Sequence, residues 1–374
     1  MRFVVAMAAL LLAGRPALAE TFPSSAGNLA VDTVAGGLVN PWSLAFLPDG
    51  RMLVTERPGR MRIVTRGGEL SPPLAGVPGV YAQSQAGLMD VMLARDYARS
   101  RTIFFCYAEP YEGGGRIAVA RARLEDGRAP RLVGSEVIFR QQGPADHGLN
   151  IGCRMVQAED GNLFVTLGDH FYDAKLAQTL DNHIGKIVRI TPEGKAPPDN
   201  PFIGKAGALP EIWAYGLRNP EGLAFNPANG ELWEQEHGPK GGDEINIVRK
   251  GANYGWPVVS YGVNYDGTRV GTGKQRAEGM ADSIWHWTPS IAPSGMAFYT
   301  GDLFSGWKGS LINGALKFEL VARLALDGDK VTQEERLLQG LHERIRDVRQ
   351  GPDGALYLLT DNAAGRILRV APAK

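Results

Sequence analysis

The chain has 374 residues, 44% of them hydrophobic and 21% charged, which is the composition of a folded protein with a large core and not of a disordered chain. Forty basic residues balance forty acidic residues, so no net field would attract nucleic acid or an anionic membrane. We therefore expect neither of these partners.

The first 19 residues predict a signal peptide. Arg2 provides a positive charge, the apolar run that ends at Ala13 is too short to span a bilayer, and Ala17 and Ala19 are small residues of the kind that precede a signal-peptidase cut. We expect residues 20–374 to form one domain, because no linker-like segment divides them. We also expect the mature protein to be periplasmic or secreted.

Short apolar runs between turn residues predict an all-β fold. A tight Asp-Gly or Asn-Gly turn that leads into a strand recurs with its glycine at Gly50, Gly161, Gly230 and Gly354. These glycines are 111, 69 and 124 residues apart, which fits a repeat of about 50 to 65 residues, the length of a propeller blade. We predict a six-bladed β-propeller of four-stranded antiparallel blades. A pair of β-sandwich domains fits less well, because the chain lacks a linker.

Cys106 and Cys153 are the two cysteines, and no Cys-x-x-Cys motif is present to hold zinc or haem. Both lie in apolar, strand-like runs. In an oxidising compartment they would either pair as a disulfide or stay as two buried thiols.

The segment from Glu236 to Tyr254 predicts a metal site. It is rich in Gly and Pro, which let main-chain carbonyls turn inward, and Asp243, Glu244 and Tyr254 add side-chain oxygens. Hard cations, Ca²⁺ among them, bind about six to eight oxygens of this mixed kind. An acidic surface turn with a capping aspartate is the alternative.

Candidate catalytic and anion-binding residues lie outside that segment. Asp146 precedes His147 in a loop that leads into a strand, and a histidine there could act as a base near neutral pH; a solvated loop histidine is the alternative. Arg344 and Arg346 lie two apart in an extended segment and so face the same way. Paired guanidinium groups suit a ligand with several carboxylates, although two surface arginines would show the same spacing.

Several enzyme classes are disfavoured by missing motifs. The sequence has no nucleophile elbow, no Walker loop and no strand-linked Gly-x-Gly-x-x-Gly fingerprint. Esterase, nucleotide-binding and nicotinamide-dependent functions are therefore not expected.

Together, eight motifs give the chain a resemblance to a family. Over nearly all of residues 20–374 it resembles the soluble pyrroloquinoline quinone (PQQ)-dependent sugar dehydrogenases of the glucose/sorbosone dehydrogenase family, and most of all the bacterial aldose sugar dehydrogenases. The motifs that carry the resemblance are Pro41–Phe46, Gln85–Met89, Gly168–Asp169, His183–Lys186, Gly216–Pro220, Gly251–Trp256, Pro289–Ser294 and Arg344–Val348.

The resemblance implies a six-bladed propeller with the quinone in a cleft at one end of its axis. It implies that the carbonyls of Gly238 and Pro239 hold a calcium ion beside the quinone, and that Glu244 and Tyr254 belong to a second, structural calcium. The residues implied to line the cofactor are Gln85, Arg218, Asn219, Tyr265, Lys317, Arg344 and Arg346. The arginines and the lysine of this set would bind the carboxylates of PQQ.

The reaction implied by the resemblance is oxidation of an aldose at C1 to a lactone. A hydride passes from C1 to C5 of the quinone, a histidine removes the hydroxyl proton, calcium polarises the quinone carbonyl, and Arg218 stabilises the developing oxyanion. Electrons then leave to an external acceptor, a cytochrome or a quinone, and the protein is expected to be a monomer or a homodimer.

One position departs from the family pattern. The family has His-x-Gly-Gly-Arg at the head of a strand. When no gap is allowed, Asn150-Ile-Gly-Cys-Arg154 puts Asn150 at the place of that histidine, with His147 three residues earlier. Either a short insertion keeps His147 as the base, which we favour because a loop insertion costs little, or Asn150 occupies the base position and turnover is impaired. Asparagine cannot accept a proton at neutral pH.

Substrate contacts are expected where the family places polar side chains after Gly-Asp. His170 and Tyr172 follow that motif here, Asp146 is a further candidate, and Trp285 and Trp287 could form an aromatic wall for a sugar ring. Packing at a blade edge would explain the two tryptophans equally well.

Two other functions remain open at the level of sequence. A calcium-dependent propeller hydrolase of the lactonase kind would also use a central metal and a histidine, but it would not need the cations Arg218, Lys317, Arg344 and Arg346. A non-catalytic sugar-binding propeller is the second alternative, and Asn150 favours it.

Overall fold

In a computed structural model of the chain, residues 20–145 and 147–373 are described. The predicted signal peptide, residues 1–19, and the substrate candidate Asp146 lie outside the described residues. Within the described part of the chain, no helix is long and apolar enough to cross a membrane.

The chain runs through antiparallel sheets taken one after another. It begins with β1 (Glu20–Phe22) and β2 (Leu29–Leu38). The first blade contains β3 (Pro41–Phe46), β4 (Met52–Glu56) and β5 (Arg60–Val64). The second blade contains β6 (Leu88–Leu93), the short helix α1 (Tyr97–Ser100), β7 (Thr102–Tyr111), β8 (Gly114–Glu125) and β9 (Arg131–Arg140). The third blade contains β10 (Gly152–Gln157), β11 (Leu163–Leu167), a 3₁₀ turn (Ala174–Gln178), β12 (Lys186–Ile190) and β13 (Ile212–Tyr215).

The remaining blades follow the same order. The fourth contains β14 (Pro220–Phe225), β15 (Leu232–Glu236), β16 (Asp243–Ile247) and β17 (Trp285–Trp287). The fifth contains β18 (Pro293–Phe298), β19 (Leu311–Ala315), β20 (Leu320–Asp327) and β21 (Lys330–Leu337). The sixth contains β22 (Ile345–Gln350), β23 (Leu356–Thr360) and β24 (Gly365–Pro372), and β2 and β1 extend this sheet.

Six sheets confirm the predicted six-bladed propeller, with two differences in strand number. The first sheet has three strands. The segment after β5 makes one bridge, from Leu70 to Val64, and two residues later come Pro72 and Pro73, which cannot donate to a ladder. The sixth sheet has five strands, because β2 pairs with β24 from Leu29 opposite Pro372 to Leu38 opposite Gly365. The ring is therefore closed by pairing the two ends of the described chain.

The first strand of each blade lies next to the first strands of its two neighbours. Contacts run from β3 to β6, β10, β14, β18 and β22 and back to β3, so these six inner strands form a closed ring. Each inner strand has an irregularity in its pairing within its first four residues. Such bulges bend a strand, as the rim of a closed ring requires.

Apolar side chains pack between blades and not in one central mass. Among the described residues there are six buried clusters, and each lies between two adjacent blades, for example around Phe105 between the first and second blades and around Trp233 between the fourth and fifth. A disulfide between Cys106 of β7 and Cys153 of β10 adds a covalent link between the second and third blades. It decides a question that the sequence left open.

Charged side chains lie on the axis of the propeller. The third residues of the six inner strands are Ser43, Asp90, Arg154, Gly222, Gly295 and Asp347.

Arg154 is the centre of this charged layer. Its Nη1 lies 3.1 Å from Oδ1 of Asp90 and 3.2 Å from Oδ1 of Asp347, and all three side chains are at most 2% exposed. Arg349 joins the layer through Nε, which donates to Oδ2 of Asp347 at 2.8 Å. Two guanidinium groups thus face two carboxylates, and Gly295 leaves room for them, since a Cβ there would lie 2.2 Å from Asp347 Oδ1.

Removing one partner of this layer is expected to destabilise the fold strongly. Arg154→Ala would leave the buried carboxylates of Asp90 and Asp347 short of a counter-charge, which costs about 3–5 kcal/mol of unfolding free energy. Arg99→Ala is the control, because that side chain is 87% exposed and its pair with Asp96 should contribute less than about 1 kcal/mol. Urea unfolding of both variants measures the difference, and an equal, small loss in the two would contradict the role of the layer.

Candidate functional site

The inner strands begin at the same end of the axis, and polar bonds join the loops there. Oε1 of Gln85 accepts from the backbone N of Asn150 at 2.7 Å, and Oδ1 of Asn219 accepts from the backbone N of Gly152 at 2.9 Å. The sequence predicted Gln85 and Asn219 as cofactor residues. The structure brings both to this end, in contact with the segment that enters β10.

A cavity of about 1050 Å³ opens at this end, near the upper limit for small-molecule sites. Its walls include Phe171, Tyr172, Arg218, Pro239, Trp256 and Tyr265. Tyr172 and Tyr265 are 66% and 61% exposed, so aromatic rings stand at its mouth. A smaller cavity of about 550 Å³ lies between the sixth and first blades at the opposite end, around Phe46 and Tyr357, away from these polar groups.

Asp169 connects the loops around the cavity. Its Oδ1 accepts from Asn150 Nδ2 at 2.9 Å and from the backbone N of Phe171 at 2.8 Å, and its Oδ2 accepts from Trp256 Nε1 at 2.7 Å. Burial raises the pKa of this carboxyl above its ordinary value, and the charge of Arg218 opposes that rise. A buried, shared carboxylate beside a cavity is a feature of catalytic sites.

The backbone around Asp169 is strained. Asn150, His170 and Phe171 have φ values of 47°, 52° and 64°, in the left-handed region that non-glycine residues rarely adopt. Such conformations persist where the surrounding structure holds them, and they concentrate at functional sites.

Arg218 lies between the cavity and the predicted metal loop. Its Nη1 donates to the carbonyls of His237 at 3.1 Å and Gly238 at 3.0 Å, and its guanidinium stacks over Trp256 at 5.3 Å. The Nε of Arg218 is buried without a hydrogen-bond partner among the described residues. The guanidinium therefore retains a donor for a ligand.

The metal loop brings carboxylates together on one face of the fourth blade. Glu236 lies opposite Glu244, and Glu234 lies opposite Asn246, across the β15–β16 pair. Oε2 of Glu234 and Oδ1 of Asn246 are buried without a hydrogen-bond partner among the described residues. Burial raises the pKa of Glu236 to about 8 and raises the pKa of Glu234 and of Glu244 well above the ordinary value.

These oxygens are suited to a cation, although not as a complete all-carboxylate shell. Within the described chain, no group of three or more His, Cys, Asp or Glu side chains is arranged to hold a metal ion. Backbone carbonyls and water would have to complete the ligands. Tyr254 is buried, and its hydroxyl donates to the Ile247 carbonyl at 2.7 Å and accepts from the backbone N of Arg249 at 2.8 Å, so its side chain is already bonded to the neighbouring backbone.

The two predicted arginines share one carboxylate. Arg346 donates to Glu221 and, at 3.0 Å, to Asp361, and Arg344 lies 3.5 Å from the same Asp361. Burial and the charges of Arg346 and Arg344 lower the pKa of a third arginine, Arg57, which the sequence analysis did not identify. The buried Nε of Arg346 has no hydrogen-bond partner among the described residues.

Four other predicted residues lie in varied surroundings. His147 is exposed, with its ring 4.6 Å from that of Tyr172. His170 is fully buried, and its Nε2 contacts Gln141 at 2.9 Å instead of lining the cavity. Trp287 is buried between the fourth and fifth blades beside Trp233 and Ile291, which is the packing role that the sequence left open. Lys317 is exposed, with its Nζ 5.8 Å from the centre of the Phe318 ring.

Some of the site escaped sequence reasoning. The sequence placed Asp169 in a family motif but suggested no function for it, and it did not identify the carboxylates of Glu234 and Glu236 as possible cation ligands. The alternation Glu234-Gln-Glu236 facing Glu244-Ile-Asn246 was a usable signal, because residues two apart in a strand share a face. No sequence pattern around Arg57 indicated a role, because the charged residues near it in space, among them Asp361 and Arg346, lie far away in the sequence.

Comparison with known proteins agrees with this geometry. The family described as Glucose / Sorbosone dehydrogenase matches residues 38–369. The aldose sugar dehydrogenase YliI of Escherichia coli is 44% identical over 358 residues, covering 95% of this chain and 96% of that protein.

Two solved structures extend the comparison. The soluble aldose sugar dehydrogenase from Escherichia coli in its apo form is 45% identical, with a TM-score of 0.89 over 92% of this chain and 100% of that one. The PQQ-bound aldose sugar dehydrogenase from Streptomyces coelicolor is 28% identical, with a TM-score of 0.75 over 92% of this chain and 98% of that one. The resemblance found in the sequence is confirmed, and the chain belongs to the glucose/sorbosone dehydrogenase family.

Proposed function

We propose that this protein is a PQQ-dependent aldose sugar dehydrogenase that oxidises C1 of an aldose to the lactone. The observation that carries the proposal is the set of unsatisfied guanidinium donors, Nε of Arg218 and Nε of Arg346, buried at one end of the axis in a chain of zero net charge. A cofactor with several carboxylates would satisfy them. The PQQ-bound relative supports the identity of that cofactor.

The residues present fit both groups that the family implies. Arg344, Lys317 and Arg346 would hold carboxylates, and the carbonyls of Gly238 and Pro239 are proposed ligands of a calcium ion beside the quinone. Gly238 already accepts from Arg218 at 3.0 Å, which leaves one lone pair of its carbonyl for a cation. When bound, PQQ supplies a two-electron acceptor and calcium a Lewis acid.

The chain's own residues would bind and orient the sugar. Arg218 is placed to donate to an oxygen on C1 as negative charge develops there, because its guanidinium lines the cavity. Trp256, also in the cavity wall, presents an apolar face suited to a sugar ring. His147, the base candidate from the sequence, lies outside the cavity wall, with its ring against that of the wall residue Tyr172.

The proposal includes an external electron acceptor, a cytochrome or a quinone, and export directed by the predicted signal peptide. The N-terminal pattern of one positive charge, a short apolar run and small residues supports export.

The most direct activity test is spectroscopic. Purified protein is incubated with PQQ and Ca²⁺, and the absorbance spectrum is followed after glucose is added. We expect the spectrum of the oxidised quinone to convert to that of the reduced form. A lactonase-like hydrolase would open a lactone without any quinone change, a sugar-binding propeller would do neither, and failure to bind the quinone would reject the proposal.

The role of the cation cluster is tested by quinone affinity. Arg344→Gln removes one charge-assisted hydrogen bond, and because this side chain is 47% exposed we expect the Kd for PQQ to rise about tenfold, or about 1.4 kcal/mol. Arg336→Gln is the matched control, since that arginine pairs with Glu334 on an outer strand. Fluorescence titration measures both, and equal affinities in the two variants would contradict the assignment.

The acidic cluster predicts a pH-dependent effect of calcium. The pKa of Glu236 rises from 4.5 to about 8 on folding, so between these values the folded state holds a proton that the unfolded state has lost. Without metal, stability should therefore fall as pH rises through this range. Calcium would bind the deprotonated carboxylates and offset the loss.

Thermal unfolding with and without Ca²⁺ checks this prediction. The rise in Tm on adding Ca²⁺ should be larger at pH 8 than at pH 5, and Glu244→Gln should reduce it. A calcium effect that is independent of pH, or that persists in the Glu244 variant, would show that the ion binds elsewhere.

A further inference from the structure

Asp169 lies where the third blade meets the loop that begins β14. It follows Gly168 at the end of β11, and its backbone N donates to the carbonyl of Arg218 at 2.7 Å. The side chain is enclosed, with only 1% of the residue exposed. Its position is therefore fixed relative to Arg218, which lines the cavity.

The hydrogen bonds of Asp169 leave one acceptor position open. Oδ1 accepts two donors, from Asn150 and Phe171, and Oδ2 accepts one, from Trp256. A carboxylate has about four lone-pair sites, so the site that remains is on Oδ2. Asp169 is not itself a wall residue of the cavity: its Oδ2 lies directly behind the wall, where it accepts from the indole N–H of the wall residue Trp256. For a sugar in the cavity to reach Oδ2, it must approach beside that indole.

The two base positions considered from the sequence, Asn150 and His147, are less suited to this role than Asp169. Asn150 lies between Gln85 and Asp169, with hydrogen bonds to both, but its amide cannot take a proton. It donates Nδ2 to Asp169 and so orients that carboxylate. His147 is exposed, and its ring packs on the exposed ring of Tyr172 at the cavity mouth.

The electrostatic surroundings favour a basic carboxylate. Burial raises the pKa of Asp169, the guanidinium of Arg218 opposes the rise, and Glu236 is the neighbouring acid, whose own pKa is raised in part by the charge of Asp169. A general base is most effective when its pKa lies close to the working pH.

We propose that Asp169 is the general base of this enzyme and that Asn150 is a positioning residue that holds it; the proposal rests on the function proposed above. The C1 hydroxyl of the aldose donates to Oδ2. The O–H bond breaks and its proton goes to Asp169, the C1–H bond breaks and its hydrogen and electron pair go to the quinone, and the C1=O bond of the lactone forms.

Substitution separates this proposal from a histidine base. Asp169→Asn keeps the shape of the side chain but removes its basicity, so we expect the rate of quinone reduction by glucose to fall about 10²- to 10⁴-fold. The Kd for PQQ, measured by fluorescence, should change by less than about threefold. Asp181→Asn, at an exposed loop carboxylate, is the matched control and should reduce the quinone at the wild-type rate.

The rival assignment predicts the opposite order. If His147 is the base, His147→Ala should abolish quinone reduction and Asp169→Asn should retain most of it, and that result would overturn the proposal. Asn150→His provides a further check, because a histidine bonded to Asp169 would take over as the base and move the pH dependence of the rate toward that of an imidazole.

Infrared difference spectroscopy tests the proposal in the unmodified protein, so a variant that fails to fold does not prevent a decision. Reduction by glucose should produce a carboxyl C=O band that shifts to lower frequency in ²H₂O, because Asp169 has gained an exchangeable proton, whereas a histidine base would leave only the lactone C=O band, which does not shift. If wild-type protein binds PQQ but glucose does not reduce it, the proposed function fails. If glucose reduces the quinone without a carboxyl band, only the Asp169 assignment fails.

Discussion

A buried ion layer on the axis joins four of the six blades. Two arginines and two aspartates from the second, third and sixth blades meet there, with Ser43 of the first blade donating to Asp90 at 2.6 Å. The free energy of apolar packing between two blades changes little when one blade shifts along the other. Buried ion pairs, in contrast, stabilise the fold only when the charged groups lie at hydrogen-bonding distance and in the right orientation. We infer that the layer fixes the relative height of the inner strands.

The residues of the ion layer lie only a few positions along the chain from residues of the candidate functional site. Arg154 is four residues from Asn150, and Asp347 follows Arg346 directly. When the axis layer sets the height of β10 and β22, it also sets where Asn150 and Arg346 stand at the end of the axis. The site is thus built on rigid strand ends, and its loops are joined by Gln85, Asp169 and Asn219, whose side chains bond to the backbone or side chains of other blades. Preorganisation of this kind is what the proposed hydride transfer would require.

The sequence was sufficient for what depends on local chemistry. Asp-Gly turns before apolar runs predicted the blades, and a Gly/Pro-rich acidic loop predicted the region where Glu236 and Glu244 meet. It was insufficient for contacts between distant segments. Arg346 pairs with Glu221 across 125 positions, and Trp256 reaches Asp169 across 87, so neither pairing has a local pattern. Trp287 is a further example, because the residues next to it in the sequence do not show whether its ring packs in the core or lines a cavity.

We propose that the loops at the end of the axis where the inner strands begin form a PQQ site. A crystal structure of the protein with PQQ and Ca²⁺ tests it most directly. We expect the quinone in the cavity bounded by Arg218 and Trp256, with its carboxylates on Arg344 and Arg346 and a calcium ion on the carbonyls of Gly238 and Pro239. A quinone bound elsewhere, or a cavity that stays free of it at saturating concentration, would rule out a PQQ site at this end of the axis.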